Sequence, residues 1–262
     1  MAESDRRKFL KRATAVSSAL LLGGCYDLSQ TTWWPKVLGS AEGVTKAAQR
    51  LFAGRSALAP EFTKADLSPL FKANGATDPG AASYKAMAAN GFRDWRIAVG
   101  GLVEKPLSLS VDDLRHMPSR TQITRHDCVE GWSCIGEWKG APLKYVLALA
   151  RPKAEARYVV FHCADTDADV NADPNGNTDL HYYESLDMIE AMHPQTLLAY
   201  EMNSAPLTVP HGAPVRLRAE RQLGYKMAKY VQSLELVENF DHINGGKGGY
   251  WEDLGYTWWG GI

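Results

Sequence analysis

One stretch of the 262-residue chain decides its fold: His126-Asp127-Cys128-Val129-Glu130-Gly131-Trp132-Ser133-Cys134-Ile135-Gly136-Glu137-Trp138. An alternating run, Thr121 to Asp127, leads into it and predicts a strand that ends at the Cys128 thiol. Acidic neighbours such as Glu130 raise the pKa of a thiol, so a thiolate here would need a compensating charge. A thiophilic transition metal supplies such a charge. From these residues alone, a buried structural thiol remains the alternative.

Strand and helix patterns interleave irregularly on both sides of this stretch. Strands are predicted at residues 95–99, where the run ends in Gly100-Gly101, at 121–127, at 157–162 and in two runs between 214 and 238. Helices are predicted after the cap Ser110, from Pro142, and over 185–192. No internal repeat is present, so the pattern predicts a mixed α+β domain with mixed sheets. The closing segment, residues 245–262, is rich in Gly and Trp and is expected to wrap the domain surface.

Composition excludes several classes of protein. The chain is 45% hydrophobic and has a formal net charge of −1, which suits a packed globular protein and argues against general nucleic-acid binding. No apolar run approaches the roughly 20 residues that span a bilayer. The sequence has no Gly-x-Ser-x-Gly elbow, no phosphate-binding loop and no His-Glu-x-x-His motif. Gly245-Gly246-Lys247-Gly248-Gly249 is interpreted as a flexible loop.

Residues 1–25 have the layout of an export signal. Bases including the adjacent pair Arg6-Arg7 precede a short apolar stretch, which is typical of the twin-arginine route into the periplasm. That route carries proteins already folded around a cofactor. Leu22-Gly23-Gly24-Cys25 is similar to a lipoprotein processing box, so Cys25 is a candidate lipid anchor, with simple cleavage and an uncleaved anchor as alternatives. Residues 26–60 are interpreted as a tether and N-terminal arm, and residues 61–262 as a single catalytic domain.

Three cysteines follow the export signal: Cys128, Cys134 and Cys163. An odd number leaves at least one thiol unpaired or assigned to chemistry, although Cys134 and Cys163 could form a disulfide. A zinc site made of these thiols and His126 is conceivable, but the spacing matches no common zinc pattern. Covalently attached haem is excluded because no Cys-x-x-Cys-His is present.

Three blocks of sequence resemble the sulfite oxidase superfamily of molybdopterin oxidoreductases, nearer its periplasmic methionine-sulfoxide reductases than animal sulfite oxidase. The resemblance spans roughly residues 70–240, and the blocks are Cys128-Val129-Glu130-Gly131-Trp132-Ser133, then Asn203-Ser204-Ala205-Pro206-Leu207 with His211-Gly212-Ala213-Pro214-Val215-Arg216-Leu217, then Leu223-Gly224-Tyr225-Lys226-Met227-Ala228-Lys229. The resemblance implies a sulfite-oxidase-type molybdopterin-binding fold. The order and spacing of the three blocks together are more specific to this family than any one block alone.

The resemblance also implies roles for individual residues. Cys128 would be the only protein ligand of molybdenum, and Glu130 would hydrogen-bond near the metal's oxygen ligands or to a backbone amide. The phosphate of the pterin needs donors, for which Arg216 and Lys229 are candidates, unless Arg216 forms a structural ion pair. Backbone groups at Met227 and Ala228 would approach the cofactor. Asn74 stands where the family has a pterin-binding Asn, Cys163 stands in place of a pterin-contacting Thr, and His211 replaces an Asn.

Other basic residues are placed by pattern. Lys226 alternates with its neighbours and is predicted to face solvent, which favours Lys229 as the phosphate ligand. Arg125, Arg218 and Arg221 are candidate anion contacts at a substrate mouth, although an exposed face explains them equally well.

The implied activity is two-electron oxygen-atom transfer on a small substrate, either reduction of a sulfoxide or N-oxide or oxidation of a sulfite-like anion. Because the sequence has no haem or iron–sulfur motif, electrons would pass to or from a partner, a membrane b-type or a periplasmic cytochrome. A monomeric catalytic subunit is expected. The alternatives are a non-catalytic, membrane-tethered pterin- or metal-binding module and a zinc-stabilised binding protein.

Overall fold

The computed structural model describes residues 34–173 and 175–262. The chain divides into two compact units, residues 1–50 and residues 51–262. Helix α1, Trp34–Phe52, covers much of the stretch predicted to be a tether. The predicted export signal and Cys25 lie outside the described residues. None of the described helices combines the length and apolarity that crossing a bilayer requires.

Ten strands follow in the second unit. In chain order they are β1 Arg96–Gly101, β2 Leu107–Ser110, β3 Arg120–Asp127, β4 Ser133–Pro142, β5 Tyr158–Thr166, β6 His181–Asp187, β7 Leu197–Met202, β8 Ala205–Pro206, β9 Arg216–Arg218 and β10 Val231–Val237.

The strands form two sheets, of which the first is mixed and the second is antiparallel. The first sheet has the order β2-β1-β10-β5-β6, with β1 and β10 parallel and the other neighbours antiparallel. The second has the order β3-β4-β7-β8, with β9 also paired to β7. In the second sheet β3 and β4 pair from Arg120↔Gly140 to Asp127↔Ser133, so residues 128–132 form the connection at one end of this hairpin.

The helices are short and lie between the strands. They are α2 Ala82–Ala89, α3 Val111–His116, α4 Leu143–Ala150, α5 Asp167–Val170, α6 Met188–Ala191 and α7 Tyr250–Asp253, with single 3₁₀ turns at Lys64–Asp66, Val209–His211 and Gly224–Lys226. Helix α3 begins as predicted, because the Ser110 hydroxyl accepts a hydrogen bond from Asp113 N at 3.0 Å. The predicted mixed α+β class is confirmed.

The main core lies against the first sheet. Strand residues such as Ile97, Val160 and Leu236 pack there with Leu114 of α3 and Val146 of α4, all fully buried. A smaller cluster contains Trp138 of β4, in the second sheet, and Phe71, which lies outside the strands. This second cluster lies beneath the strand end that carries Cys128, as the contact of Phe71 with His126 shows.

The helix predicted over residues 185–192 is wrong in its first half. Residues 185–187 belong to β6, where Leu186 pairs with Val159, and only Met188–Ala191 are helical. Every residue of β6 after His181 is buried. A strand that is covered on both faces does not show the alternation of apolar and polar residues by which strands are recognised. The apolar residues of β6 were therefore interpreted as the start of a helix.

The prediction that Lys226 faces solvent is also wrong. Lys226 is 1% exposed and forms ion pairs with Glu184 of β6 and Glu252 of α7. Burial alone lowers the pKa of this ammonium, but the two carboxylates outweigh it and raise the pKa. Lys226 therefore fastens the C-terminal segment to the domain, a role that local alternation does not reveal.

Candidate active site

A cavity of about 410 Å³ opens beside Cys128, within the second unit. Such a volume is in the range of small-molecule sites. Residues that are far apart in the sequence line it: Lys72, Ala73, Asn74, Gly75 and Ala76; Cys128, Val129 and Glu130; Asp165, Val170 and Tyr182; Gly224, Tyr225, Met227 and Lys229; Trp251 and Tyr256.

Cys128 is a free, half-buried thiol in the tight connection between β3 and β4. Its backbone N–H donates to Trp132 O at 2.9 Å, and Gly131 N donates back to Cys128 O at 3.1 Å. Gly131 adopts φ 84°, a left-handed conformation that this turn needs and that Gly tolerates best. Burial raises the pKa of the thiol, and the Glu130 carboxylate adds to the effect. The thiol is therefore neutral unless a cation reaches the sulfur.

Glu130 lies at the rim of the cavity, with 55% of its side chain exposed. Its Oε2 accepts hydrogen bonds from Trp132 Nε1 at 2.8 Å and from Lys72 Nζ at 3.3 Å. The indole N–H and then the ammonium lower the pKa of this carboxyl. Glu130 is therefore an ionised group at the entrance, fixed two residues from the thiol.

The floor of the cavity is the 3₁₀ turn Gly224–Lys226 and the residue after it. A Cβ on Gly224 would lie 2.5 Å from His126 Nε2 and 3.2 Å from Asp127 O, so only Gly lets this turn approach the end of β3. Met227 closes the floor, with its sulfur 3.3 Å from His126 Nδ1. The two motifs that carry Cys128 and Met227 thus meet in space.

Lys229 lines the cavity and binds only carbonyl groups. Its Nζ donates to Asn74 O at 2.6 Å, to Pro210 O at 3.0 Å and to Ala76 O. Burial and the Arg216 guanidinium lower the pKa of Lys229, and Asp165 opposes them. Asn74 lines the same wall. An anion in the cavity would stabilise this partly desolvated ammonium.

Asp165 is a lining residue that the sequence did not single out. It is 3% exposed, its Oδ1 has no hydrogen-bond partner, and burial raises its pKa. The available clue is an acidic residue near the end of the apolar run of β5. An orphaned buried oxygen in a cavity wall is typical of a group that binds a polar ligand.

Arg216 lies behind the floor and does not line the cavity. Its Nη1 donates to His211 O at 3.0 Å and its Nη2 to Met227 O at 3.4 Å, while its guanidinium lies 5.0 Å from the centre of the Trp138 ring. Burial and then Arg218 lower its pKa to about 9, and its Nε has no partner. No carboxylate among the described residues lies at ion-pair distance from Arg216. The alternative that Arg216 forms a structural ion pair is therefore not supported in the described part of the chain. Arg216 holds the Met227 backbone in place.

Three other predicted residues lie outside the cavity wall. Ala228 is buried, and its carbonyl accepts from Leu217 N at 2.8 Å. Cys163 is buried in the main core, where burial raises its pKa well above the usual value. His211 uses both ring nitrogens, with Nε2 3.1 Å from Phe71 O and Nδ1 2.8 Å from the Thr208 hydroxyl. The structure does not bring these side chains to the cavity, and their cofactor contacts stay predictions.

The three arginines considered as mouth residues lie elsewhere. Arg218 is fully buried and bidentate on Glu220, with Nη2 2.6 Å from Oε2. Arg221 binds Glu190 at 2.5 Å, and Arg125 binds Asp127 at 2.9 Å on the surface. None of the three is in the lining of the cavity beside Cys128.

The zinc alternative has no cluster to support it. Across residues 34–173 and 175–262, no three His, Cys, Asp or Glu side chains converge as a metal site. Cys128, Cys134 and Cys163 are free, so Cys134 and Cys163 form no disulfide.

The residues around the cavity fit a bound molybdopterin. A neutral thiol at its edge becomes a ligand when a thiophilic metal supplies positive charge. Lys229 and the orphaned oxygen of Asp165 offer a cation and an acceptor to the polar parts of a pterin and its phosphate. The cavity, the thiol of Cys128 and the buried ammonium of Lys229 therefore suit a cofactor that carries a metal and an anionic group.

Comparison with known proteins shows the family. Residues 84–242, more than half of the chain, match the oxidoreductase molybdopterin binding domain. A protein named provisionally as methionine-sulfoxide reductase subunit YedZ1, from Azospira oryzae, is 34% identical over 98% of this chain and 87% of its own. The catalytic subunit MsrP of the protein-methionine-sulfoxide reductase of Campylobacter jejuni is 36% identical over 56% of this chain and 50% of its own. The sulfane dehydrogenase SoxCD of Paracoccus pantotrophus has a TM-score of 0.47 at 26% identity, over 56% of this chain and 39% of that one.

The chain belongs to the family of molybdopterin-binding oxidoreductases, in the sulfite oxidase group. It is a molybdopterin-dependent oxidoreductase, and the predicted cofactor and enzyme class are confirmed. The non-catalytic alternative is set aside by the same findings.

Proposed function

We propose that the protein reduces methionine sulfoxide to methionine outside the cytoplasm. One observation carries the proposal: the Cys128 thiol lies in the wall of a cavity that also presents Lys229. The names of relatives at 34% and 36% identity, which are reductases of protein methionine sulfoxide, support the substrate class. The overall change is R₂S=O plus two electrons and two protons giving R₂S and water.

The cofactor, when bound, supplies the two-electron centre that accepts the oxygen atom. Cys128 would ligate its metal, and Lys229, whose protons go to three carbonyl groups, would attract its anionic part through its positive charge. Arg216 fixes the Met227 backbone through the hydrogen bond at 3.4 Å, and so keeps the floor in position. Glu130 holds a negative charge at the rim, with Lys72 as its partner.

We further propose the setting of this reaction. The electron donor would be a cytochrome, either b-type in the membrane or soluble in the periplasm, because the sequence has no haem or iron–sulfur motif of its own. The twin-arginine pair supports export to the periplasm, with Cys25 as a candidate lipid anchor. The protein would act as a monomeric catalytic subunit.

The test compares two cysteine variants of the loaded enzyme. Cys128→Ser should lose at least about 100-fold in kcat/KM for methionine sulfoxide with a reduced dye as donor, and its molybdenum content should fall, because an alcohol is a poor ligand for a soft metal. Cys134→Ser is the matched control: this thiol is half-buried, absent from the cavity, and should keep both properties.

Two outcomes would contradict the proposal. Full activity and metal content in Cys128→Ser would remove the thiol from the chemistry. Activity of the wild type only with sulfite and an electron acceptor would reverse the direction of the reaction and replace the substrate.

A further inference from the structure

Three aromatic side chains form one wall of the cavity beside Cys128. Tyr225 follows the glycine of the floor, and Trp251 and Tyr256 come from the C-terminal segment. The rings of Trp251 and Tyr256 lie 5.3 Å apart at 32°, and those of Tyr225 and Tyr256 lie 5.4 Å apart at 81°. These three residues are called the aromatic wall.

The aromatic wall begins close to the thiol. Gly224 packs against the carbonyl of Asp127, the residue before Cys128, and Tyr225 is the next residue along the floor. Tyr256 then extends the wall outward, with 41% of its surface exposed. A molecule reaching Cys128 from solvent therefore has aromatic faces available to it.

The wall is held rigidly from behind. Lys226, between Tyr225 and Met227, pairs with Glu252 at 2.5 Å, and Glu252 is next to Trp251. Tyr225 donates its hydroxyl proton to Thr257 O at 2.8 Å, and Tyr183 donates to Asp253 Oδ2 at 2.5 Å. These contacts fix the C-terminal segment directly after Trp251 and on both sides of Tyr256. The aromatic faces are thus part of a built surface and do not depend on ligand binding to form.

The rest of the lining has a different chemistry. Lys229 and Asp165 interact electrostatically, and Lys229 also bonds the carbonyl of Asn74. These charged groups suit the anionic and polar parts of the cofactor. The aromatic wall carries no charge, and it therefore suits an apolar part of a ligand.

We propose that the aromatic wall binds the methyl-sulfoxide end of a methionine sulfoxide side chain and sets the preference of the enzyme for alkyl sulfoxides. This inference rests on the proposed function. Sulfur and the methyl groups bonded to it make favourable contacts with aromatic rings. The sulfur of a sulfoxide is electron-poor, so it is attracted to the electron-rich faces of the rings. Trp251 and Tyr256 lie outside residues 84–242, so two of the three rings of the wall come from chain beyond the matched family domain.

The experiment uses full-length, molybdenum-loaded protein and a peptide with one methionine sulfoxide. Trp251→Leu and Tyr256→Leu should each raise KM about fivefold and leave kcat within about twofold, because the wall binds the substrate equally well in the ground state and in the transition state. Trp251→Phe and Tyr256→Phe should restore KM. Leu254→Ala is the control, since Leu254 is 64% exposed in the same segment and does not line the cavity.

The melting temperature and molybdenum content of each variant show whether its fold and loading are intact. Unchanged KM in both Leu variants, or a fall in kcat alone, would overturn the inference while reduction by the wild type still supports the proposed function. If the wild type reduces no methionine sulfoxide, the proposed function fails instead. Calorimetric binding of the same peptide to loaded wild type and Trp251→Leu then decides the inference: weaker binding by the variant supports it, and equal binding overturns it.

Discussion

His193 is a buried imidazole with both ring nitrogens engaged. Its Nε2 lies 3.1 Å from Ala57 O, so Nε2 carries the proton, and its Nδ1 accepts from Gln195 N at 3.3 Å. A second proton on Nδ1 would face that N–H donor. Burial and then Arg221 lower the pKa of His193 to about 4.

This environment predicts a loss of stability in mild acid. In the unfolded chain the imidazole of His193 binds a proton below about pH 6.5, whereas in the folded chain it does so only below about pH 4. The free energy of unfolding therefore falls as the pH falls through this window. His193 should account for a loss of about 2 kcal/mol between pH 7 and pH 5. In urea unfolding at the two pH values, His193→Gln should lack this part of the loss. The exposed His116→Gln should keep it, and equal pH dependence in His193→Gln would refute the assignment.

Residue-scale patterns could not separate buried from exposed charges. Arg218, Lys226 and Lys229 all alternate with apolar neighbours, yet each is less than 10% exposed. Arg218 pairs with Glu220, two residues away, but Lys226 pairs with Glu184 and Glu252, which are 42 and 26 residues away. A charge is tolerated inside only where such a partner meets it, and pairing over long separations is not encoded in local spacing.

Gly100 and Gly101 end strand β1 and look equivalent in the sequence. In the fold they differ. Gly101 adopts φ 75°, and a Cβ there would lie 2.8 Å from Leu236 N and closer still to Leu236 O, on the parallel neighbour β10. Gly100 has an ordinary φ and nothing within 4 Å of its Cβ position. Only the second glycine is required by the pairing of the two strands.

The two glycines give a matched pair of variants at the level of the first sheet. Gly101→Ala should lower the free energy of unfolding by about 3 kcal/mol, because it combines a left-handed backbone with a clash against main chain. Gly100→Ala should change it by less than about 1 kcal/mol, in the stabilising direction. Denaturant unfolding of both measures this, and a similar effect of the two substitutions would refute the argument.

Elements with one exposed face were predictable from the sequence. Alternation found β1 and β3, and the capping residue Ser110 found α3. Strand β6 was missed because both of its faces are covered, and α1 was missed because its stretch is small and polar. The local spacing of apolar and polar residues shows which face of an element is exposed to water. Prediction from this spacing therefore fails where a neighbouring element covers that face.

The cavity brings together residues from Lys72 to Tyr256. The family resemblance placed Cys128, Met227 and Lys229 in one site, and all three line the cavity. It did not supply Asp165, Trp251 or Tyr256. Those residues reach the site through the pairing of β5 with β10 and the docking of α7 by Lys226. Such contacts depend on the whole fold, which no single motif contains.

Export of the whole molecule gives the remaining prediction. Arg6→Lys combined with Arg7→Lys should reduce the protein in the periplasm to background while loaded protein accumulates in the cytoplasm, because an ammonium does not reproduce the paired guanidinium groups of a twin-arginine signal. Arg12→Lys is the control, since it makes the same change outside the pair. Cell fractionation with metal analysis measures both, and unaltered export of the double variant would refute the route.

The C-terminal position of the aromatic wall bears on how the enzyme is made. The pocket lacks one side until the segment that carries Trp251 and Tyr256 has docked on the domain. A pterin that arrived before this segment had docked would meet an incomplete pocket and could dissociate from it. Binding of the cofactor therefore depends on the docking of that segment.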